Sequence, residues 1–410
     1  MAESKYPMIP VEEAVSRVLA AVAPLPPIEL PFMKAQGLVL AEDVRAAEPM
    51  PPFAASAKDG FAVIAGDLGP TRRIVGDQFA GHATDLRLVP GTAARITTGA
   101  PLPTGADAIV MVEFTEVRGD QVTITRPVEP GADVRPAGQD IEAGQIVLPA
   151  GTRLGPAELG LLATVGRTRV RVHPRPRVGV MSTGDEIVEP DQHPAPGQIR
   201  DSNRFSLMAA VVEAGGEPVD LGLAPDTRAA LEAFISAGLE TNDAVLTSGG
   251  VSMGELDLVK PLLEELGTVH FGRVYTKPGK PVTFATVQGK PFFAMPGFPV
   301  SSLVSFEIFV RPALRLMAGD PVVFRPRLPV VLDHPASHSE DRTEFQRAIV
   351  HYDRSDSRFH ARITGFQGSG RLLSMVGANA LVELPYGHGD VAAGQTVEAL
   401  ILSTQFASNA

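Results

Sequence analysis

Four short stretches rich in glycine, hydroxyl and carboxylate side chains are the part of this sequence best suited to chemistry. One of them, TSGGVSMGELD at residues 247–257, places three glycines, three hydroxyls and two carboxylates directly after an apolar run. Glycine lets the backbone approach an anion closely, hydroxyls donate hydrogen bonds to it, and carboxylates hold a hard cation such as Mg²⁺. The composition therefore predicts a site for a phosphate or another oxyanion with a divalent cation.

The other three stretches have a similar composition and also follow apolar runs. They are STGDE at residues 182–186, GLAPD at residues 222–226 and PGFPVSS at residues 296–302. In an open α/β sheet, ligands bind beyond the carboxyl ends of the strands, where helices begin. Each stretch alone is typical of a turn or a helix cap, but four on one sheet edge favour a shared binding site.

Positive charge for an anion is available in YTKPGKPVTF, where Lys277 and Lys280 flank a Pro-Gly turn. Two lysines in a turn are also typical of a solvated surface, but their position beside the glycine-rich stretches favours an oxyanion contact. Three Pro- and Gly-rich loops, at residues 51–63, 96–110 and 135–144, are further candidate functional segments, although such loops are often only rigid turns. They contain Asp59, Thr98 and Asp140.

Several classes of function are excluded or disfavoured by composition. The 410 residues include no cysteine, which excludes disulfides, thiolate nucleophiles and cysteine-ligated metals. The net charge of -11 and the absence of tryptophan argue against nucleic-acid binding. The glycine spacing around residue 249 fits neither the dinucleotide fingerprint nor the P-loop. His334 and His338 have metal-like spacing, but the proline between them favours a loop.

No apolar run approaches the ~20 residues that a membrane span requires, and the first residues lack the pattern of a secretory signal. We therefore expect a cytoplasmic protein with no membrane partner.

Strand-like and helix-like segments alternate through residues 177–325, which predicts a central, doubly wound, mostly parallel α/β domain. The apolar runs are residues 178–181, 219–223, 244–246, 269–274 and 292–295. The helical stretches are residues 203–214, 227–237, 256–266 and 300–317.

The rest of the chain predicts a multidomain α/β plus β protein. Residues 1–45 and 144–176, which include an amphipathic helix at 11–22, are expected to form a discontinuous helical domain. Residues 46–143 read as an inserted β domain and residues 326–410 as a small β barrel.

Nine segments in order resemble the molybdopterin molybdenumtransferases of the MoeA and gephyrin E-domain family, over nearly the whole chain. They are SAKDGFAV, ITTGAPLPTGADAIVMVE, GQDIEAG, STGDE, IRDSN, TSGGVSMGELD, KPGKP, PGFPVSS, and EFQRAIV followed by TGFQGSG. The resemblance implies an L-shaped homodimer of four-domain subunits, with the site between the central domain of one subunit and the β domain of its partner. It also implies insertion of molybdate into adenylylated molybdopterin with release of AMP, Mg²⁺ or a similar cation, and a molybdopterin adenylyltransferase as pathway partner.

The resemblance also implies a set of site residues. The family's functional acids fall on Asp59, Asp140, Glu186, Asp226 and Asp257. Glu186, Asp226 and Asp257 are the expected metal ligands, and Asp59 and Asp140 are expected to have raised pKa values and to donate protons. Other contact residues of the family fall on Thr98, Lys277, Lys280, Arg347 and Ser369, and the same motifs contain Asp185, Ser248, Gly249, Pro296 and Pro299.

Two positions depart from the family pattern. Lys58 precedes the motif aspartate where an apolar residue is usual, and Phe298 stands where the family usually has asparagine. Two other functions remain open from the residues: a molybdopterin adenylyltransferase, which resembles the central domain alone, and a non-catalytic scaffold that binds a receptor peptide as the gephyrin E domain does.

Overall fold

A computed structural model describes residues 6–67, 69–82, 84–250 and 258–409. At its centre is a six-stranded sheet whose strands, in chain order, are Arg177–Thr183, Glu217–Ala224, Ala244–Ser248, Gly267–Phe271, Thr283–Val287 and Lys290–Met295. Their order across the sheet is second, first, third, sixth, fifth, fourth. The first four in this spatial order are parallel, and the strand Thr283–Val287 is antiparallel to both of its neighbours, so it runs opposite to the other five. The predicted, mostly parallel sheet is confirmed.

Helices cover both faces of this sheet. They are Asn203–Glu213, Arg228–Thr241, Val259–Leu266, Pro299–Ser305 and Arg311–Met317. Ala244 and Leu246 pack into one core and Val245 into the core on the opposite face. Side chains alternate across a strand, so an unbroken apolar run must be buried on both sides. The doubly wound arrangement is therefore confirmed.

The last helical stretch is interrupted, in contrast to the single helix expected over residues 300–317. A π-helical turn, Phe306–Val310, separates Pro299–Ser305 from Arg311–Met317. Pro312 follows that turn and has no N–H to donate to the preceding turn of helix, which accounts for the irregularity at this point.

The chain changes sides of the sheet beside the strand Arg177–Thr183. The helix that follows this strand contributes Leu207 and Val211 to one core, whereas the next helix contributes Leu231 and Ile235 to the other. The third strand, Ala244–Ser248, then pairs on the other side of the first. Such a switch point opens a crevice between the carboxyl ends of the two strands, which is where ligands of open α/β sheets bind.

A closed five-stranded β barrel follows the central domain, as predicted. Its strands are Arg327–Leu332, Thr343–Asp353, Arg358–Ile363, Ala380–Leu384 and Thr396–Ile401. The barrel closes because the strand Thr343–Asp353 pairs with both Arg358–Ile363 and Ala380–Leu384. The short strand Thr276–Lys277 pairs with the start of Thr343–Asp353, and this pairing joins the lysine turn to the barrel.

A second six-stranded sheet is formed by residues between Gly60 and Ile124. Its strands are Gly60–Val63, Thr71–Gln78, Thr92–Ile96, Ala108–Met111, Thr115–Arg118 and Gln121–Ile124. Asp59 directly precedes the first of these strands and Thr98 follows the third, Thr92–Ile96, by two residues. The chain enters and leaves this sheet through two short strands that pair with each other, Ala55–Ser56 and Val134–Arg135.

The segments on either side of this sheet pair with each other. Ile28–Pro31 and Val39–Leu40 both pair with Arg169–His173, and Val44–Arg45 pairs with Ile146–Leu148. The helix Pro156–Thr164 and the 3₁₀ turn Phe32–Ala35 complete this unit.

The N-terminal helix, Val11–Ala20, packs through Val11, Ala14 and Val18 into the core of the central domain. Within the described ranges, no helix is both long and apolar enough to cross a membrane.

Candidate functional site

A cavity of about 1400 Å³ lies between the carboxyl edge of the central sheet and the C-terminal barrel. The turns after three parallel strands, the lysine turn and the barrel loop at residues 365–370 form its walls. Eight residues expected at the site line it: Glu186, Ser248, Gly249, Lys277, Lys280, Pro296, Pro299 and Ser369. Residues separated by up to 183 positions in the sequence therefore line the same cavity. The order of the strands in the sheet brings their turns together.

Gly249 permits the close approach of two strand ends at this cavity. Its φ of +96° is in the region that favours glycine, and a Cβ built there would lie 2.5 Å from the carbonyl oxygen of Thr183. Its N–H donates to the carbonyl of Met295 at 3.2 Å. No other residue type fits this position without moving a strand. Backbone packing therefore requires glycine at residue 249, which also lines the cavity.

Asn203 holds two of the turns together, and the sequence pattern did not single it out. Its Nδ2 donates to Ser248 Oγ at 2.6 Å and to the carbonyl of Gly297 at 2.7 Å. Its buried Oδ1 has no hydrogen-bond partner among the described residues. Ser182 Oγ donates to Asp201 Oδ1 at 3.1 Å. Asp201 and Asn203 were not among the predicted site residues. Both lie in the IRDSN segment, where polar residues before a helix resemble ordinary helix N-caps.

Lys277 belongs to a network of charges under the cavity wall. Its Nζ lies 3.1 Å from Glu344 Oε2, and the same oxygen lies 3.1 Å from His338 Nδ1. His338 Nε2 lies 3.1 Å from the carbonyl of Pro385, and the side chains of His338 and Glu344 are buried. Both ring nitrogens of His338 thus face an acceptor oxygen, and Glu344 Oε2 lies within hydrogen-bond distance of both Lys277 and His338. His338 is thus a buried partner of Glu344, not an exposed loop residue.

Lys280 differs from Lys277 in having no such partner among the described residues. It is half-buried in the cavity wall and makes no side-chain hydrogen bond or ion pair with the described residues. A buried or partly buried cation with no partner is costly in free energy, and a bound anion removes that cost. Lys280 is therefore the group in the wall best placed to bind an oxyanion.

Arg347 lies behind the wall and supports the barrel loop. It is 1% exposed, and its guanidinium donates to Ser374 Oγ at 3.2 Å and to the carbonyl of Gly368 at 3.3 Å. Burial lowers the pKa of Arg347 to about 10, so the group is still charged at neutral pH. The loop it supports is also docked on the central domain, because Val300 N donates to the carbonyl of Ser369 at 3.0 Å.

The expected metal ligands are only partly assembled. Asp226 follows the second strand and accepts a hydrogen bond from Thr183 Oγ1, and its N–H lies 3.4 Å from Asp185 Oδ1. Glu186 lines the cavity, whereas Asp226 is not among the lining residues. Asp257 lies outside the described residues. Among those described, no three His, Asp or Glu side chains form a group that could hold a metal.

Asp59, Thr98 and Asp140 form part of the β domain, away from the cavity lining of this chain. Asp59 Oδ1 accepts hydrogen bonds from Thr98 N at 2.7 Å and from Thr98 Oγ1 at 3.1 Å. These donors stabilise the ionised form and lower the pKa of Asp59 below its usual range. The expectation of a raised pKa is therefore wrong for Asp59. Asp140 forms an ion pair with Arg135.

Replacement of Thr98 by valine tests how this pKa is set. Thr98→Val keeps the backbone N–H but removes the hydroxyl donor, so the pKa of Asp59 is expected to rise and still stay below the ordinary value. Because the folded pKa is lowered, Asp59 contributes stability above its unfolded pKa, and this is lost as pH falls through the folded pKa. The variant should lose part of that contribution. NMR titration of ¹³C-labelled aspartate carboxyls measures the shift.

The matched control is Thr104→Val, at an exposed threonine whose side chain makes no hydrogen bond with the described residues. It should leave the Asp59 titration unchanged. An unchanged Asp59 titration in Thr98→Val as well would show that the hydroxyl does not set this pKa.

Three family models match most of the chain. The MoeA N-terminal region (domain I and II) matches residues 9–166, a probable molybdopterin binding domain matches residues 179–316, and the MoeA C-terminal region (domain IV) matches residues 329–402.

Individual proteins are similar over nearly the whole length. Molybdopterin molybdenumtransferase 2 of Mycobacterium tuberculosis is 40% identical, over 91% of this chain and 94% of that protein. Gephyrin of Dictyostelium discoideum is 37% identical over 97% of this chain, which spans only 63% of that longer protein. The solved molybdopterin biosynthesis MoeA protein of Pyrococcus horikoshii superposes with a TM-score of 0.85 at 32% identity, covering 97% of this chain and 100% of that one. From its matching regions, its fold and these relatives, the chain belongs to the MoeA family.

Proposed function

We propose that this protein inserts molybdenum from molybdate into adenylylated molybdopterin and releases AMP. The observation that carries the proposal is that Lys280, in the wall of a cavity where glycine-rich turns converge, has no charged partner within the described part of the chain. The relatives named molybdopterin molybdenumtransferase support it further, since the similarity extends over more than nine-tenths of the chain. A protein with a net charge of -11 needs such a local positive site to bind an anionic cofactor and an oxyanion.

The groups in the cavity divide into cations and hydroxyl donors. Lys280 and Lys277 attract the oxyanion. Lys280 attracts it more strongly, because Glu344 already forms an ion pair with Lys277. Ser248 Oγ accepts from Asn203, so its own proton is available to an anion. Exchange of one molybdate oxo group for two dithiolene sulfurs releases one water, and the two thiol protons balance that loss. The chain has no cysteine to compete with those sulfurs for the metal.

Mg²⁺ is part of the proposal as a cation that lowers the charge repulsion between the phosphoanhydride and other anions. Carboxylate oxygens are its preferred protein ligands. Glu186 and Asp226, at the carboxyl edge of the sheet, would hold it together with Asp257.

Asp59, Thr98 and Asp140 are proposed to act in the cavity of a second copy of the chain. They are candidates for the reaction but do not line the cavity of their own chain. A homodimer that places the β domain of one subunit over the cavity of its partner would bring both sets together. Asp59 would act there as an ionised hydrogen-bond acceptor, consistent with its lowered pKa. A molybdopterin adenylyltransferase is the proposed source of the substrate.

AMP release tests the proposed reaction directly. Purified protein mixed with adenylylated molybdopterin is expected to release AMP only when molybdate is added, as measured by chromatography. ATP and molybdopterin supplied instead should remain unchanged, because ATP consumption would indicate the adenylyltransferase. No molybdate-dependent AMP would contradict the proposal and favour the scaffold.

Lys280→Ala tests the oxyanion site separately. A hydrogen bond to a charged group contributes about 1.5–3 kcal/mol, so molybdate binding measured by calorimetry is expected to weaken roughly ten- to a hundredfold. Lys34→Ala is the matched control, since Lys34 is exposed on the 3₁₀ turn Phe32–Ala35 outside the cavity. Equal molybdate affinity in the Lys280 variant and the control would remove Lys280 from the site.

A further inference from the structure

Two phenylalanines in the cavity wall are left largely in solvent. Phe298 is 64% exposed and Phe366 is 73% exposed, and both line the cavity. Phe292 and Phe293 of the adjacent strand are fully buried. Scattered exposed apolar residues are ordinary, but two large aromatic rings on the walls of one polar cavity are an unusual combination.

Each ring lies against a glycine of the same barrel loop. A Cβ built on Gly370 would lie 3.5 Å from Phe298 Cδ1, and one built on Gly368 would lie 2.4 Å from Phe366 Cε1. A side chain at residue 368 would therefore displace the ring of Phe366. The glycines leave room for the two rings beside the loop backbone, while the rings stay largely open to solvent.

The surroundings of both rings are fixed. Gly297, just before Phe298, accepts a hydrogen bond from Asn203 at 2.7 Å, and Pro299, just after it, has a restricted φ. Arg347 donates to the carbonyl of Gly368, and Val300 donates to that of Ser369. The backbone that carries the two rings therefore loses little conformational freedom when a ligand binds.

Phenylalanine can offer a ligand only its apolar ring. It cannot hydrogen-bond to an oxyanion, so the role of Phe298 must differ from that of Lys277 and Lys280 in the same wall. Planar heteroaromatic rings stack on such side chains whatever their hydrogen-bonding pattern, because every one has a π face. The cavity thus combines cations for phosphate or molybdate with aromatic surface for a flat ring.

We propose that Phe298 and Phe366 form a stacking platform for the planar heteroaromatic ring of the substrate. The proposal rests on the proposed function, because adenylylated molybdopterin carries two such rings, a purine and a pterin. The ring stacks on a phenylalanine while the anionic groups bind the lysine turn. Phe298 is thereby a binding residue that determines affinity for the ring and not for the oxyanion.

The absence of tryptophan from the chain allows a direct optical test. Phe298→Trp and Phe366→Trp each introduce a single indole that keeps an aromatic face at the site. AMP is expected to quench the emission of at least one of them, whereas ribose 5-phosphate, which has the phosphate but no base, should not. A soluble pterin carboxylate is the second arm: quenching by AMP identifies the purine, and quenching by the pterin alone identifies the pterin.

Phe324→Trp is the matched control, since Phe324 is 52% exposed and does not line the cavity. Its emission should not respond to any of these ligands. Phe298→Leu, which keeps apolar character without a ring, is expected to bind the quenching ligand roughly tenfold more weakly while its affinity for molybdate is unchanged.

The proposal is overturned if neither indole in the cavity responds to AMP or to the pterin and Phe298→Leu binds both as the unaltered protein does. Molybdate-dependent AMP release by the unaltered protein, measured in parallel, separates the two ideas. Release without quenching removes the platform but leaves the proposed function, and quenching without release keeps the platform for a different substrate.

Discussion

The contact between Lys277 and Glu344 joins the central sheet to the barrel, and the cavity depends on that junction. The short strand Thr276–Lys277 pairs with the start of the barrel strand Thr343–Asp353, so the backbone register sets the two side chains side by side. Glu344 is buried and accepts from both Lys277 and His338. The Lys277 side chain is 41% exposed, so the cost of losing either donor falls on Glu344, a buried carboxylate that would be left with less compensation. The barrel is therefore held where its loop forms the far wall.

Within the cavity, the division of charge follows from that junction. Glu344 offsets the charge of Lys277, whereas Lys280, three residues later, has no charged partner among the residues that the structure describes. The close approach of the backbone at Gly249 and the hydrogen bonds of Asn203 hold the opposite wall of the cavity in place. A negatively charged protein can bind an anion here because local groups at a few ångströms outweigh the screened field of distant carboxylates.

Much of the fold could be predicted because local pattern determines it. Continuous apolar runs such as residues 244–246 require burial on both faces, and helical spacing between them requires a parallel sheet with a ligand edge. The same logic predicted one shared edge for Glu186, Ser248, Pro296 and Asp226; the first three line one cavity, and Asp226 does not. The break in the last helix follows from Pro312, which has no N–H to donate and is visible in the sequence.

What could not be predicted depends on contacts between distant residues. The pairing of Lys277 with Glu344 spans 67 residues, and the lowered pKa of Asp59 depends on Thr98, 39 residues away. Arg347 was expected to contact the ligand. In the closed barrel its side chain is buried behind the loop at residues 365–370 and donates to the carbonyl of Gly368. Asn203 resembles a helix residue of no special role until the strand order places it between two turns.

The location of molybdenum in a crystal of this protein soaked with molybdate shows whether the cavity beside Lys280 binds the oxyanion. Anomalous scattering at the molybdenum edge identifies the metal without assumptions about its ligands. We expect the strongest peak to lie in the cavity between Lys280 and Ser248. A strongest peak elsewhere on the molecule or its dimer, with none in that cavity, would contradict it.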